Sequence, residues 1–380
     1  MSNAYQIYSD YLFAKADERG IPLSGSFELT PRCNLDCKMC YIHKRANDRA
    51  ALARELDTKT WLALVKECCE AGTLNLLLTG GEPLLRPDFK EIYSACRKLG
   101  MQVSVNSNAT LIDEEMVRFF AADPPSRINI TLYGASAETY GALCGDPGAY
   151  ERVVRAILAL KGAGVLVKLN FSNTPYNRCD AEKVYAFARE HGLVVQAVSY
   201  MFPPVRACEN GCFVPDRLTA YDAAAEQIRY DRFRFDSAEL KKRWQGQLAG
   251  IKVPDPDSEC QELPTERIRC RAGSSTFWLT WDGKMRPCGM MTQPSAEVGE
   301  LGFLGAWQAI RQAREQIMVP GKCTSCEMRN ACDQCAAVCF AETGSFTGVP
   351  EYMCEKTRAY LELAKEGLAE LERPQQEDTL

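Results

Sequence analysis

The stretch "TPRCNLDCKMCYIHK", Thr30 to Lys44, places Cys33, Cys37 and Cys40 within eight residues. Thiolates spaced in this way can converge on one metal site from a tight loop, and closely spaced cysteine triads are typical of iron–sulfur clusters. Three thiolates on a four-iron cube leave one iron without a protein ligand, a place for a substrate or cofactor to bind. From spacing alone the alternative is a Cys₃His zinc site completed by His43, which follows Cys40 too closely to join easily. The setting favours metal: the chain has 19 cysteines and two histidines. Its N-terminus lacks the basic and apolar regions of a secretory signal, and no window is long enough for a membrane span. The expected localisation is cytoplasmic, where thiols stay reduced.

A second concentration lies between Cys260 and Cys354, with nine cysteines in 95 residues. It comprises Cys260, Cys270, Cys288 at the end of "WDGKMRPC", then Cys323, Cys326, Cys332, Cys335 and Cys339 in "CTSCEMRNACDQCAAVC", and Cys354. So many thiols leave little room for a large apolar core, and bound metal would have to substitute for one. Zinc ribbons or a disulfide framework also fit the spacing. Cys208 and Cys212 in "ACENGCF" are candidates for a functional thiol or ligand. Cys68, Cys69, Cys96, Cys144 and Cys179 read as small core or surface residues.

These residues need elements to hold them. Candidate strands rich in Val, Ile and Leu cover 26–30, 74–80, 101–107, 127–133, 165–171 and 193–199, and helical segments lie near 57–71, 87–99, 113–121, 149–162 and 180–190. Six alternations imply right-handed βαβ units and a parallel sheet buried on both faces. A doubly wound sheet and a partial (β/α) barrel both fit that rhythm. The polar and glycine-bearing sequence gathers at four successive strand ends, as barrel chemistry does: the cysteine triad, "TGGEP", "NSNAT" and "TLYGAS". At 380 residues the chain should hold one domain of roughly 200 residues and a smaller one. The expected division is an N-terminal segment 1–25, a catalytic domain 26–215, a linker with a polar helix 216–258, a cysteine-rich domain 259–358, and a tail 359–380 with a short amphipathic helix. A formal net charge of −5 gives no basic footprint for nucleic acid.

The CxxxCxxC triad, with Met39 before its third cysteine and Tyr41 after it, resembles the signature of the radical S-adenosylmethionine (radical SAM) enzymes. The resemblance covers the whole βα region and implies a partial (β/α)₆ barrel. It further implies that the open iron chelates the methionine part of SAM, and that a reduced cluster cleaves SAM to a 5′-deoxyadenosyl radical that takes a hydrogen atom from an unactivated C–H bond. Gly80, Gly81, Glu82 and Pro83 stand where the family grips the methionine amino group, with Glu82 as its acceptor. Ser107 and Asn108 fall where it holds SAM, Thr131 at its ribose contact, and Tyr41 where backbone meets adenine. The Gly283-x₄-Cys288 pair and the Cys-x₂-Cys-x₅-Cys run resemble the SPASM extension, which carries two auxiliary [4Fe–4S] clusters. By that pattern Cys323, Cys326, Cys332 and Cys354 hold the outer cluster, and Cys270, Cys288 and Cys335 the inner one. Two residues separate Cys332 from Cys335 where the family usually has three, so the choice between Cys335 and Cys339 stays open. Cys260 decides whether the inner cluster is closed.

Radical SAM enzymes with SPASM domains mostly modify peptides or proteins, and "TLYGASAETYGALCGDPGAYERVVRAILAL" is most similar to maturases of ribosomally made peptides. The expected function is a thioether or carbon–carbon crosslink in such a peptide. The alternatives are a sulfatase maturase that forms formylglycine, and a non-catalytic iron–sulfur electron carrier. Expected partners are the peptide or protein substrate and a reductant such as flavodoxin or ferredoxin. Only about 25 residues precede the first strand, so a leader peptide would be bound by the catalytic body or by a separate leader-peptide-binding protein.

Overall fold

The computed structural model describes residues 3–42, 44–203, 206, 217–249, 251 and 265–373. His43, Cys208, Cys212 and Cys260 therefore lie outside the described residues. The fold is mixed α/β around a nine-stranded sheet.

Six parallel strands follow in sequential spatial order: β1 (Ser24–Glu28), β2 (Asn75–Thr79), β3 (Gln102–Ser107), β4 (Arg127–Thr131), β5 (Val167–Ser172) and β6 (Val194–Val198). The intervening helices include α1 (Thr58–Glu70), α2 (Phe89–Lys98), α3 (Glu114–Ala122), α4 (Ala137–Cys144), α5 (Ala149–Gly162) and α6 (Ala181–Glu190). Their starts are written locally: Asp57, Asp113 and Ser136 each accept a hydrogen bond from the backbone N–H three residues on. Sequential order with right-handed crossovers puts every helix on one side and curls the sheet into a partial barrel.

One expectation needs correcting. The sheet is buried on one face only. Val103, Val105, Ile128, Ile130, Leu169 and Phe171 point under the helices and are fully buried, while the alternating positions Asn106, Asn170, Ser172 and Gln196 face the barrel interior. The inner face is thus a polar surface, as a ligand-holding barrel requires.

The cysteine-rich region also differs from expectation. Its strands β7 (Thr276–Leu279), β8 (Lys284–Arg286) and β9 (Ala296–Glu297) continue the barrel sheet, with β7 parallel to β1 in the register Ser24↔Thr276 and β8 antiparallel to β7. Phe277 lies in the main hydrophobic core, with ring contacts to Phe27, Phe303 and Trp307. The apolar core therefore runs through to α9 (Val298–Arg314), and metal has less to replace than nine cysteines suggest. The polar helix foreseen near 219–247 is two helices, α7 (Ala220–Arg234) and α8 (Ser237–Leu248), divided where Asp236 caps the second. The last helix, α11 (Glu351–Glu372), follows α10 (Ala336–Thr343), packs against α7 and is longer than foreseen. No described helix is long and apolar enough to cross a membrane.

If one core serves both regions, Phe277→Ala should lower the stability of the barrel itself by about 3–5 kcal/mol. Urea unfolding should show one transition shifted to lower denaturant; a barrel transition left at the wild-type midpoint would contradict the shared core.

Candidate active site

The cysteine triad leaves the end of β1 in a loop fixed at both ends. At its base Arg32 donates to Glu55 from Nε and Nη2 at 2.6 and 3.1 Å, and Thr30 donates to the same carboxylate at 2.5 Å. Arg86, just after β2, donates to Glu55 at 3.4 Å, to Asp88 and to the carbonyls of Leu29 and Leu56. At its far side the N–H groups of Asp36 and Lys38 donate to the carbonyls of Cys144 and Leu143, at the C-terminus of α4. Gly145 caps that helix in the left-handed conformation.

The glycines of "GGEP" serve this packing first. A Cβ on Gly80 would stand 2.4 Å from the carbonyl oxygen of Thr30, and one on Gly81 2.4 Å from that of Arg32. The Gly81 N–H donates to Thr30 and the Glu82 N–H to Arg32, at 2.7 and 2.8 Å. Only glycine allows the two loops to lie so close.

Glu82 accepts three hydrogen bonds from its own chain. It is fully buried and does not line the pocket; Oε1 accepts from Leu84 N–H and Ser107 Oγ, and Oε2 from Asn108 N–H. It ties the end of β2 to the end of β3. Pro83 opens the short turn that Glu82 caps. Burial pushes the Glu82 carboxyl from an ordinary 4.5 to about 7, against the three hydrogen bonds that favour the charged form.

Beyond β3, Asn108 donates from Nδ2 to Cys33 Sγ at 3.5 Å and to Asn34 Oδ1 at 3.0 Å, while its Oδ1 accepts from Thr110. Ala109 has a φ of +62° and is fully buried. That conformation costs a residue with a Cβ roughly 1–2 kcal/mol and is held by the Ala109 N–H donating to Ser107 Oγ at 2.8 Å.

One cavity of about 210 Å³ gathers these parts. Cys33, Cys37, Cys40 and Tyr41 line it with Gly80, Gly81, Ser107, Asn108 and Thr131. Tyr133, Asn106, Ser172 and Met201 also line it, and sequence reasoning had not singled them out. Cys144, read from sequence as core, is the partner of Cys37. A hydrogen bond with its thiol, helped by burial, pushes Cys37 well above the ordinary thiol value, while the Tyr133 hydroxyl pulls the other way. Burial pushes Cys33 up to about 12. Loading a cation here must therefore displace thiol protons. Among the described residues no three Cys, His, Asp or Glu are gathered tightly enough for a single metal ion. A [4Fe–4S] cluster binds each thiolate to a different iron and asks for thiols spread around a larger body.

A second cavity, of about 380 Å³, is lined by Cys270, Cys323, Cys326, Cys332, Cys335 and Cys354, with Arg267, Arg269 and Arg329 at its wall. Burial pushes Cys323 up to about 12, with repulsion from Cys339, Cys354, Cys332 and Cys326 adding to it. Cys288 instead feels Cys335 and Cys270. Cys339 feels both Cys335 and Cys332 and so joins the two sets. Cys339 is fully buried behind the cavity and accepts a hydrogen bond from Gln334 at 2.8 Å. Tyr41 lines the thiol pocket and lies within electrostatic reach of both Cys40 and Cys288.

The sequence matches the radical SAM superfamily over residues 27–188. The AdoMet-dependent heme synthase of Methanosarcina barkeri (strain Fusaro / DSM 804) is 28% identical over 334 residues, spanning 84% of this chain and 93% of that protein. The PqqA peptide cyclase of Gluconobacter oxydans (strain 621H) is 33% identical over 174 residues, 45% of this chain and 47% of that protein. Among solved structures, Streptococcus suis SuiB bound to S-adenosylmethionine has a TM-score of 0.63 at 18% identity, covering 93% of this chain and 83% of that one. Native anSMEcpe with bound AdoMet has a TM-score of 0.64 at 17% identity, covering 92% and 99%. At such identities the structures establish a shared fold.

Replacing Glu82 by Gln turns one of its two accepting oxygens into an N–H₂ that faces a donor, the Asn108 N–H or the Leu84 and Ser107 pair, and should destabilise the protein by about 1–3 kcal/mol. In the cluster-free wild type the folded state keeps the Glu82 proton between pH 4.5 and about 7 while the unfolded state has lost it. Stability from this group therefore falls as pH rises through that window, and the gap between wild type and Glu82→Gln should narrow. Urea titrations of both proteins at pH 5 and pH 7.5 measure it.

Proposed function

We propose that this radical SAM superfamily enzyme modifies a peptide, using Cys33, Cys37 and Cys40 to hold a [4Fe–4S] cluster whose open iron takes SAM. The observation that supports it best is the single pocket that joins the three thiols to Gly80, Gly81, Ser107, Asn108 and Thr131 at the mouth of a polar barrel. When bound, the cluster and SAM supply a one-electron cleavage that yields a radical able to abstract hydrogen from an unactivated C–H bond. The chain's own residues do the rest. The Glu55 ion pairs and the Gly80–Gly81 contact hold the thiols at the strand ends. Glu82 fixes Ser107 and Asn108, and Asn108 steadies Cys33 by its hydrogen bond to sulfur. Helices cover the outer face, so a radical formed at the strand ends faces only the inner surface and whatever lies on it.

Peptide as substrate is supported by relatives and structural neighbours whose names describe it: PqqA peptide cyclase, and SuiB bound to precursor peptide SuiA. A thioether or carbon–carbon crosslink is the proposed product. In the second cavity, Cys323, Cys326, Cys332 and Cys354 would hold an outer auxiliary cluster, and Cys270, Cys288 and Cys335 an inner one. A small flavoprotein or ferredoxin would supply electrons. A second reading, a heme-synthase-like enzyme, is supported by the Methanosarcina barkeri relative, which aligns over 93% of its length.

Anaerobically reconstituted enzyme given dithionite and SAM should form 5′-deoxyadenosine, and Cys33→Ala, Cys37→Ala or Cys40→Ala should abolish it; an active triple alanine variant would sink the proposal. Iron should approach about 12 per chain if all three clusters form, and fall by about 4 in the triad variants. Mass spectrometry of a co-expressed cysteine-containing peptide encoded nearby should show the loss of two hydrogens.

A further inference from the structure

Arg286 is a half-buried cation on the inner face of the sheet with no partner in view. It lies on β8 opposite Trp278 of β7, and its Nε and Nη1 are buried without a hydrogen-bond partner among the described residues. The carboxylates within its electrostatic reach are Glu28, Asp282 and Glu297, and each has another cation. Glu28 accepts from both terminal nitrogens of Arg206, at 2.8 and 2.6 Å, and from the Trp278 indole at 2.9 Å. Asp282 lies 3.0 Å from Arg54 and 3.5 Å from Lys284, and Glu297 lies 4.0 Å from Lys284. Among the described residues four cations thus face three carboxylates, and Arg286 is the cation left without an ion pair. A buried cation left without an anion is strongly destabilising, which makes the site poised for one.

Arg286 precedes Cys288 by two residues. Its neighbour Arg206 stands 5.6 Å from the ring of Tyr41, which lines the thiol pocket. Across the same inner face, a cavity of about 360 Å³ is lined by Arg127, Lys168 and a ladder of amides, with no carboxylate among its lining residues. In that ladder Asn129 Oδ1 is buried and unpartnered. The inner face is therefore cationic in a protein whose net charge is −5.

We propose that Arg286 is a substrate-binding residue that takes a carboxylate of the substrate at the inner face of the sheet. A carboxylate matches the planar guanidinium in shape and charge. Within a peptide that group is a Glu or Asp side chain or the C-terminus. The inference rests on the inner face being the substrate surface, as the proposed function has it.

The test is thermal unfolding of the anaerobic, cluster-loaded enzyme, followed by tryptophan fluorescence at matched ionic strength. The probes are sodium acetate, N-acetylglycine for a terminal carboxylate, and N-acetylglutamate α-amide for a side-chain one. In wild type a carboxylate should raise the midpoint saturably, and the probe that saturates first identifies the source. Arg286→Gln and Arg286→Met should weaken the apparent affinity at least about tenfold. An equal shift in the variants, or a larger Arg286-dependent shift with inorganic phosphate, would overturn the proposal. Ligand-free Arg286→Met should be at least as stable as wild type, because the surplus charge is gone; a clear loss of stability would mean Arg286 serves a structural pair and would also overturn it. Failure of the wild type to form 5′-deoxyadenosine would strike the radical reading alone and leave the carboxylate-dependent shift standing.

Discussion

The geometry of the thiol pocket depends on one buried carboxylate. Glu55, with 5% of its side chain exposed, receives Arg32 from the cysteine loop on one side and Arg86 from the end of β2 on the other. Asp88 balances the second arginine. A buried ionic network is rigid when every member is satisfied, and loss of one partner typically costs about 3–5 kcal/mol. Here each arginine also reaches backbone carbonyls, so the network fixes main chain as well as charge. With the loop base fixed, the Thr30–Arg32 backbone can lie against Gly80 and Gly81. That contact sets the edge of the pocket, and Glu82 then carries the constraint one strand further to Ser107 and Asn108. Three strand ends are locked in series from one carboxylate.

This locking serves a sheet that is covered on one side only. Because the parallel strands run in sequential order, every crossover helix falls on the outer face, and the inner positions are left polar. In a doubly wound sheet those positions would be buried and apolar. The result joins a rigid rim, where strand ends are bound by ion pairs and close backbone contacts, to an open inner wall made of amides and cations. A reactive species formed at such a rim meets only what that wall has bound.

Most of the rim was legible in the sequence because its parts are local. The cysteine spacing, the paired glycines and the polar strand ends each sit within a few residues, and alternating apolar runs marked all six strands. What stayed hidden depends on partners far apart in the chain. Nothing near Glu55 announces Arg32 and Arg86, and nothing near Glu82 announces that Ser107 and Asn108 hydrogen-bond to its two oxygens. Cys144 looked like a filler because its contact with Cys37 crosses more than 100 positions. The strand Thr276–Leu279 was missed because cysteine density suggested a separate, metal-held unit, whereas Phe277 and Trp307 place it in the barrel core. The polar inner face was also misjudged. Asn106, Asn129, Asn170 and Gln196 alternate with buried residues as in any half-exposed strand, and only the one-sided placement of the helices shows which side they face.

The contrast between rim and wall bears on where the protein accepts instability. Beside the thiol pocket, both oxygens of Glu82, both ends of the Asn108 amide and all three nitrogens of Arg86 are engaged. On the wall, Asn129 Oδ1 and two nitrogens of Arg286 are buried with no partner among the described residues. Buried polar atoms are rarely left so, because each forfeits a hydrogen bond it had in water. Local rules of packing fail where a structure is shaped for something other than its own stability. Two of the failures among the described residues, at Asn129 and Arg286, lie on the inner face, and the proposed partner of Arg286 is a carboxylate bound within the barrel.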